Sequence, residues 1–157
     1  MSMFGSRDVT SFITGDFGRV LERALFNEFI ATGLFEDIYT ETDLRNMFGW
    51  NATSIDYMLV SKAGHIILLQ SKWRKTKRRE TKCVMRFLRS VEHVVNCAGV
   101  GQRYTFGIWA ARCEPFEDNK QLMQQYNIHS LSSFDSIVSL VSKTKVFLGE
   151  HLSSLAV

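Results

Sequence analysis

Two apolar runs separated by three residues constrain this chain more than any other feature. Residues 54–61 (S-I-D-Y-M-L-V-S) and 65–73 (H-I-I-L-L-Q-S-K-W) are rich in aliphatic and β-branched side chains, with Lys62-Ala63-Gly64 between them. Runs of this length around a glycine-bearing triplet predict a β-hairpin, in which Gly64 supplies the positive φ of the loop. The loop also sets the register. Ser61 faces His65, and stepping outward along both strands brings Asp56 opposite Gln70. Strand side chains alternate between faces, so Gln70 and Lys72 share one. An acid, an amide and an amine therefore gather on a hairpin otherwise built from Ile, Leu, Met and Val. Burying such groups among aliphatics is costly unless they have partners, so this face is wet, metal-bound or both.

Periodicity predicts the surrounding elements. Within residues 16–32, Phe17, Val20, Leu21, Ala24, Leu25, Phe26, Phe29 and Ile30 recur at three- and four-residue spacing ahead of Gly33, the pattern of a helix and its stop. Residues 35–40 (F-E-D-I-Y-T) read as a short strand, and 41–52 as a loop with turn formers Asn46, Gly49 and Asn51. A helix over 82–98 follows, ended by Gly99 and Gly101, then a buried strand over 104–111. A short helix over 119–126, a strand over 127–131 and an amphipathic helix over 134–148 complete the chain. The predicted order is α-β-β-β-α-β-α-β-α. The class is α/β, with a mixed sheet covered by helices on both faces. With 157 residues, one proline and no Ser/Gly tract or repeat, residues 1–157 read as a single domain.

Charge is uneven. The net formal charge is only +3, yet residues 72–82 read K-W-R-K-T-K-R-R-E-T-K, while Glu36, Asp37, Glu41 and Asp43 form an acidic patch earlier. A local basic stretch on a near-neutral protein suggests a site facing an anion. Arg74, Lys75, Lys77, Arg78, Arg79 and Lys82 are thus candidates to hold the phosphates of a nucleic acid, whose affinity for proteins is dominated by such contacts. Cys83, Cys97 and Cys113 lack any C-x-x-C pairing, which argues against a zinc knuckle or a disulfide framework and suits a reducing compartment. The four histidines are scattered without metal spacing. No apolar run reaches membrane-spanning length, and M-S-M-F-G-S-R-D does not read as a signal peptide. The expectation is an intracellular protein, cytoplasmic or nuclear, without a membrane partner.

One further acid joins the hairpin. Glu22 shares a helical stripe with Leu25, Phe26 and Phe29, at i+3, i+4 and i+7. A carboxylate on a core-facing stripe calls for a positive partner, and a divalent cation serves. Glu28 on the same helix is the alternative acid. Asp56, the side-chain oxygen of Gln70, the main-chain carbonyl of Ser71 and Glu22 form a set of hard oxygen donors suited to Mg²⁺ or Mn²⁺. Lys72 beside them would orient an attacking water or neutralise developing negative charge.

These segments, G-R-V-L-E-R-A-L-F-N-E-F-I, S-I-D-Y-M-L-V and H-I-I-L-L-Q-S-K-W, resemble the PD-(D/E)XK nuclease superfamily. That family's pattern is a helix glutamate, an aspartate, and E-x-K on the next strand. The similarity is closest to the Mrr-like restriction endonuclease branch, in which the E-x-K position is often Q-x-K. The resemblance runs from about Gly18 to Trp73, and N-I-H-S-L-S-S-F-D-S-I-V-S-L-V is similar to the family's final strand and helix. It implies a restriction-endonuclease-like fold and a metal-dependent endonuclease hydrolysing phosphodiester bonds in DNA. It places the helix glutamate on Glu22, the metal aspartate on Asp56, the third ligand on Gln70 and the catalytic lysine on Lys72. Ile55 stands where the family name has proline. Gln70 stands where it has an acid, and a neutral amide binds Mg²⁺ less strongly than a carboxylate. The alternative is therefore a nuclease-fold module, weakened or inactive, that binds nucleic acid or serves in assembly. RNA remains open as a substrate, because phosphate chemistry looks alike on either polymer. A homodimer is expected, since twofold pairing would address two strands with two centres.

Overall fold

The computed structural model describes residues 17–155, and its sheet is organised around the hairpin. Strands β2 (Tyr57–Ser61) and β3 (Ile66–Lys72) are antiparallel, with Tyr57 opposite Leu69 and Val60 opposite Ile66, the register expected from a three-residue loop. Ser61 N–H donates to the His65 carbonyl at 2.9 Å, and Gly64 adopts a φ of 93°. Outside β2 lies β1 (Phe35–Thr40), also antiparallel. On the far side of β3, β4 (Tyr104–Ala111) and β5 (Ile128–Ser132) run parallel to it. The result is a five-stranded mixed sheet in the order β1-β2-β3-β4-β5.

Among the described residues five helices accompany it: α1 (Phe17–Thr32), α2 (Glu41–Phe48), α3 (Thr81–Val95), α4 (Glu117–Gln124) and α5 (Ile137–Leu155). On one face, Leu21, Leu25 and Phe29 of α1 and Leu140 and Leu148 of α5 pack on Tyr57, Leu59, Ile67, Leu69, Phe106 and Ile108. On the other, Val84, Phe87, Leu88, Val91 and Val94 of α3 pack on Met58, Val60, Ile66, Leu68 and Trp109. Both faces of β2 and β3 are thus buried, which is why these strands read as continuous aliphatic runs rather than alternating ones. Among the described residues, no helix is long and apolar enough to cross a membrane.

Three expectations need correction. Residues 41–52 are not a loop: α2 is followed by a short 3₁₀ turn, Trp50–Ala52, so the order gains a helix between the first two strands. Thr40 caps α2 through a capping box with Asp43, which satisfies first-turn N–H groups despite the turn formers downstream. The first hairpin strand begins at Tyr57, not at residue 54, because the 3₁₀ turn delivers the chain to the sheet only there. The last helix starts at Ile137 and continues to Leu155, since Gly149 does not stop it. Smaller shifts occur at the ends of α3, α4 and β5. The readings of the first eight residues and of residue 16 as a helix start lie outside the described residues.

Gly107 lies in β4 between β3 and β5. A Cβ there would sit 2.7 Å from Ile128 Cγ1 and 3.2 Å from the Leu68 carbonyl oxygen. Such contacts require the Ile128 side chain to shift and the β3 backbone to give slightly. Gly107→Ala is therefore expected to lower stability by about 1–3 kcal/mol, the usual cost of overpacking, seen as an earlier urea midpoint. An unchanged midpoint would mean that β5 shifts freely.

Candidate active site

The 3₁₀ turn and the end of β3 position Asp56. Ile55 N–H donates to the Ala52 carbonyl, and Asp56 N–H to the Leu69 carbonyl at 2.9 Å, anchoring the residue just before β2 begins. Asp56 is buried, 7% exposed. Its Oδ2 accepts from Ser71 N–H at 2.8 Å and from the Ser71 hydroxyl at 2.9 Å. The Gln70 side chain reaches the same carboxylate, as expected from the hairpin register. In the orientation that satisfies both ends of the amide, its nitrogen lies 3.2 Å from each Asp56 oxygen and 2.8 Å from the Ser54 carbonyl. Gln70 thus offers Asp56 a donor, and acting as an oxygen ligand requires a half-turn of the amide. Ser71 N–H points toward Asp56. In an extended strand a residue's C=O lies on the same edge as its N–H, so the Ser71 carbonyl lies on the Asp56 side too.

Helix α1 brings Glu22 to this group. The Tyr57 hydroxyl donates to the Glu22 main-chain carbonyl at 2.7 Å, and the Tyr57 ring packs against Phe26 and Phe29. The Glu22 carboxyl then meets that of Asp56 within hydrogen-bonding reach. Glu28 is instead paired with Lys145 of α5 at 3.1 Å, so Glu22 is the acid of α1 that reaches the centre. Burial, followed by the charge of Glu22, pushes Asp56 from its ordinary 3.8 up to about 7, against the opposing effects of the Ser71 hydrogen bonds and Lys72. Glu22 is also raised, chiefly by burial, and its hydrogen bond to Asp56 works the other way. Two neighbouring carboxyl groups resist ionising together, and a cation between them relieves that repulsion.

A hard divalent ion fits these residues. Asp56 and Glu22 supply carboxylate oxygens and Ser71 a carbonyl, and Mg²⁺ typically takes one or two carboxylates while keeping several waters. No three His, Cys, Asp or Glu side chains converge among the described residues, so the ion's other positions would fall to the Ser71 carbonyl, the Gln70 amide and water.

Lys72 ends β3, half-buried, and its ammonium makes no hydrogen bond or ion pair with a described residue. Its charge lowers the pKa of Asp56, Glu22 and Glu41 alike. It lines a small pocket with Arg74, Arg78, Glu80 and Asn119. No protein-family model, curated protein or solved structure matches the chain.

The basic stretch is divided. Arg74 is held by Glu80 at 2.8 Å, and Arg79 is paired with Asp118. Lys77 and Arg79 lie over the Phe116 ring at 4.8 and 4.6 Å. Lys75, Arg78 and Lys82 are exposed and form no ion pair with a described residue. Two residues of this region were not expected. Arg112 donates to the Lys75 carbonyl at 2.8 Å and the Arg74 carbonyl at 3.3 Å, while its own N–H donates to the Lys72 carbonyl. It staples the basic loop to the end of β4. The readable signal was its place just past the carboxyl end of a parallel strand, where sites in open α/β sheets gather. Glu41, at the first turn of α2, is raised by burial and then by the charge of Asp56. Seen only as part of an acidic patch, it gave no sign of reaching the hairpin.

Proposed function

We propose that the chain is a metal-dependent endonuclease hydrolysing phosphodiester bonds in DNA, on a sheet of restriction-endonuclease-like type. The observation that carries this reading is the buried Asp56 carboxyl with the half-buried Glu22 beside it, next to a Lys72 without an ion-pair partner at the mouth of a basic loop. Paired acids with raised pKa values beside a cation are costly for stability and typical of functional sites. Support also comes from the helix–strand–helix–hairpin–helix order that presents them. Asp56 and Glu22 would hold Mg²⁺ or Mn²⁺, with the Ser71 carbonyl and a turned Gln70 amide completing the protein's donors. The bound ion supplies Lewis acidity, polarising a phosphoryl oxygen and acidifying water. Ser71 keeps Asp56 oriented, and Lys72 stabilises negative charge developing on the phosphate. Lys75 and Arg78 are free to hold neighbouring phosphates. The test is cleavage of linear, branched and single-stranded DNA, with RNA counterparts, under Mg²⁺ and Mn²⁺. DNA products are expected, and intact substrates throughout would overturn the reading.

The Gln70 amide supports a second reading, a nuclease-fold module that binds nucleic acid without cutting. With its nitrogen on Asp56, Gln70 occupies a place where an acid would add negative charge. Gln70→Glu is expected to tighten Mg²⁺ or Mn²⁺ binding by about tenfold, or ~1.4 kcal/mol, by calorimetric titration. Tighter binding with cleavage still absent would favour the module, whereas faster cleavage would favour the enzyme.

A further inference from the structure

We infer that the outer face of α3 is a second track for a nucleic-acid backbone, continuing the basic loop away from the Asp56–Lys72 centre. The inference rests on the proposed action on nucleic acid and extends it to the length of polymer engaged. Lys82, Arg86 and Arg89 are exposed and spaced by four and three residues, which places them in one row on the helix surface. Like charges at these spacings repel. Lys82 also stands in the first turn, where the helix dipole disfavours a cation, and no acid stands in that turn to offset it. None of the three side chains forms an ion pair or hydrogen bond with a described residue. Their neighbours Arg74 and Arg79 are both neutralised, by Glu80 and Asp118. The fold has therefore left these three cations without an ion-pair partner in a row where like charges repel, a pattern explained by an anion from outside.

The shape of the row specifies the anion. Lys82, Arg86 and Arg89 border one groove with Thr81 and Met85, and Arg78 joins Lys72 in the pocket at the other end of the loop. From Lys82 to Arg89 the helix rises about 10 Å, close to three steps of a single strand at about 3.4 Å each. An anionic membrane fits poorly. A helix lying on lipid needs exposed apolar side chains, yet the apolar face of α3 is buried in the core, and none of the large exposed hydrophobic residues belongs to α3.

The test uses the full chain without divalent ions, so that binding is read without cleavage. Wild type and the triple variant Lys82→Gln/Arg86→Gln/Arg89→Gln are titrated with a fluorescent DNA duplex of about 20 base pairs across a range of salt. The variant is expected to fold with an unchanged circular dichroism spectrum and to bind at least about tenfold more weakly at low salt. Its plot of log K against log salt should be shallower by about 2–3, near 0.9 per lost phosphate contact. Equal affinity and slope in the two proteins would overturn the inference, as would a loss confined to phosphatidylserine vesicles. If wild type never cuts but the slope still changes, the track stands and only the nuclease reading fails. If wild type cuts and the triple variant binds unchanged, only the track fails.

Discussion

Lys72→Ala is expected to lower the rate of DNA cleavage by about 10²–10³-fold, the usual effect of removing one preorganised donor from a transition state. The loss should fall on kcat more than on KM. The lysine ends β3 without a partner among the described residues, so its removal leaves no orphaned acid in an ion pair and should change the melting temperature little. A second signature separates electrostatics from folding. Lys72 lowers the pKa of Asp56 and Glu22, so its loss should raise both further. The acid limb of any residual activity should then move to higher pH. Lys72→Arg should rescue only in part, because a planar fork does not reproduce a compact ammonium. Cleavage undiminished in Lys72→Ala would remove the lysine from the mechanism, whatever happened to the pH profile.

How much of this centre could be read from the chain depended on how local each determinant is. The facing of Asp56 and Gln70 was legible because three loop residues leave the hairpin a single register, and that register is observed. Preference for Glu22 over Glu28 followed from its stripe on α1, and the pairing of Glu28 with Lys145 agrees with it. Helix α2 escaped because periodicity senses buried faces, and only Leu44 is buried in it. Its determinant is the Thr40–Asp43 capping box, written in two polar residues that also fit a turn. Missing α2 hid Glu41, whose approach to Asp56 depends on that helix. The basic run showed its charges but not its partners. Glu80 takes Arg74 from within the run, while Asp118 reaches Arg79 from 39 residues away. The Gln70 amide is a finer case. Side-chain rotation follows from the surrounding donors and acceptors, and no spacing rule encodes it.

The largest effect on stability is expected from Asp56→Asn, and its sign follows from the direction of the pKa shift. A carboxyl whose pKa rises from 3.8 to about 7 on folding binds its proton more tightly in the folded state. Its contribution is fully present below the unfolded value, erodes as pH climbs from about 4 to about 7, and is gone above that range. Glu22 is shifted the same way and adds to the trend. Metal-free wild type should therefore melt at progressively lower temperature between pH 5 and pH 8, whereas Asp56→Asn should melt higher at pH 8 and vary less with pH. Asparagine suits the place. Its oxygen can accept from Ser71 N–H and hydroxyl as Oδ2 does now, and its amide can donate to Glu22 or, once the Gln70 amide turns, to the Gln70 oxygen. Mg²⁺ inverts the comparison at pH 8. It should stabilise wild type, by about 2.7 kcal/mol at a hundred times its Kd, and leave the variant almost unmoved. Cleavage should be lost in the variant. A wild-type melting temperature flat from pH 5 to pH 8, or equal stabilisation of both proteins by Mg²⁺, would mean that the two carboxyl groups do not form a cation site. The acids would then have to be explained by packing alone, which offers no reason to hold them together.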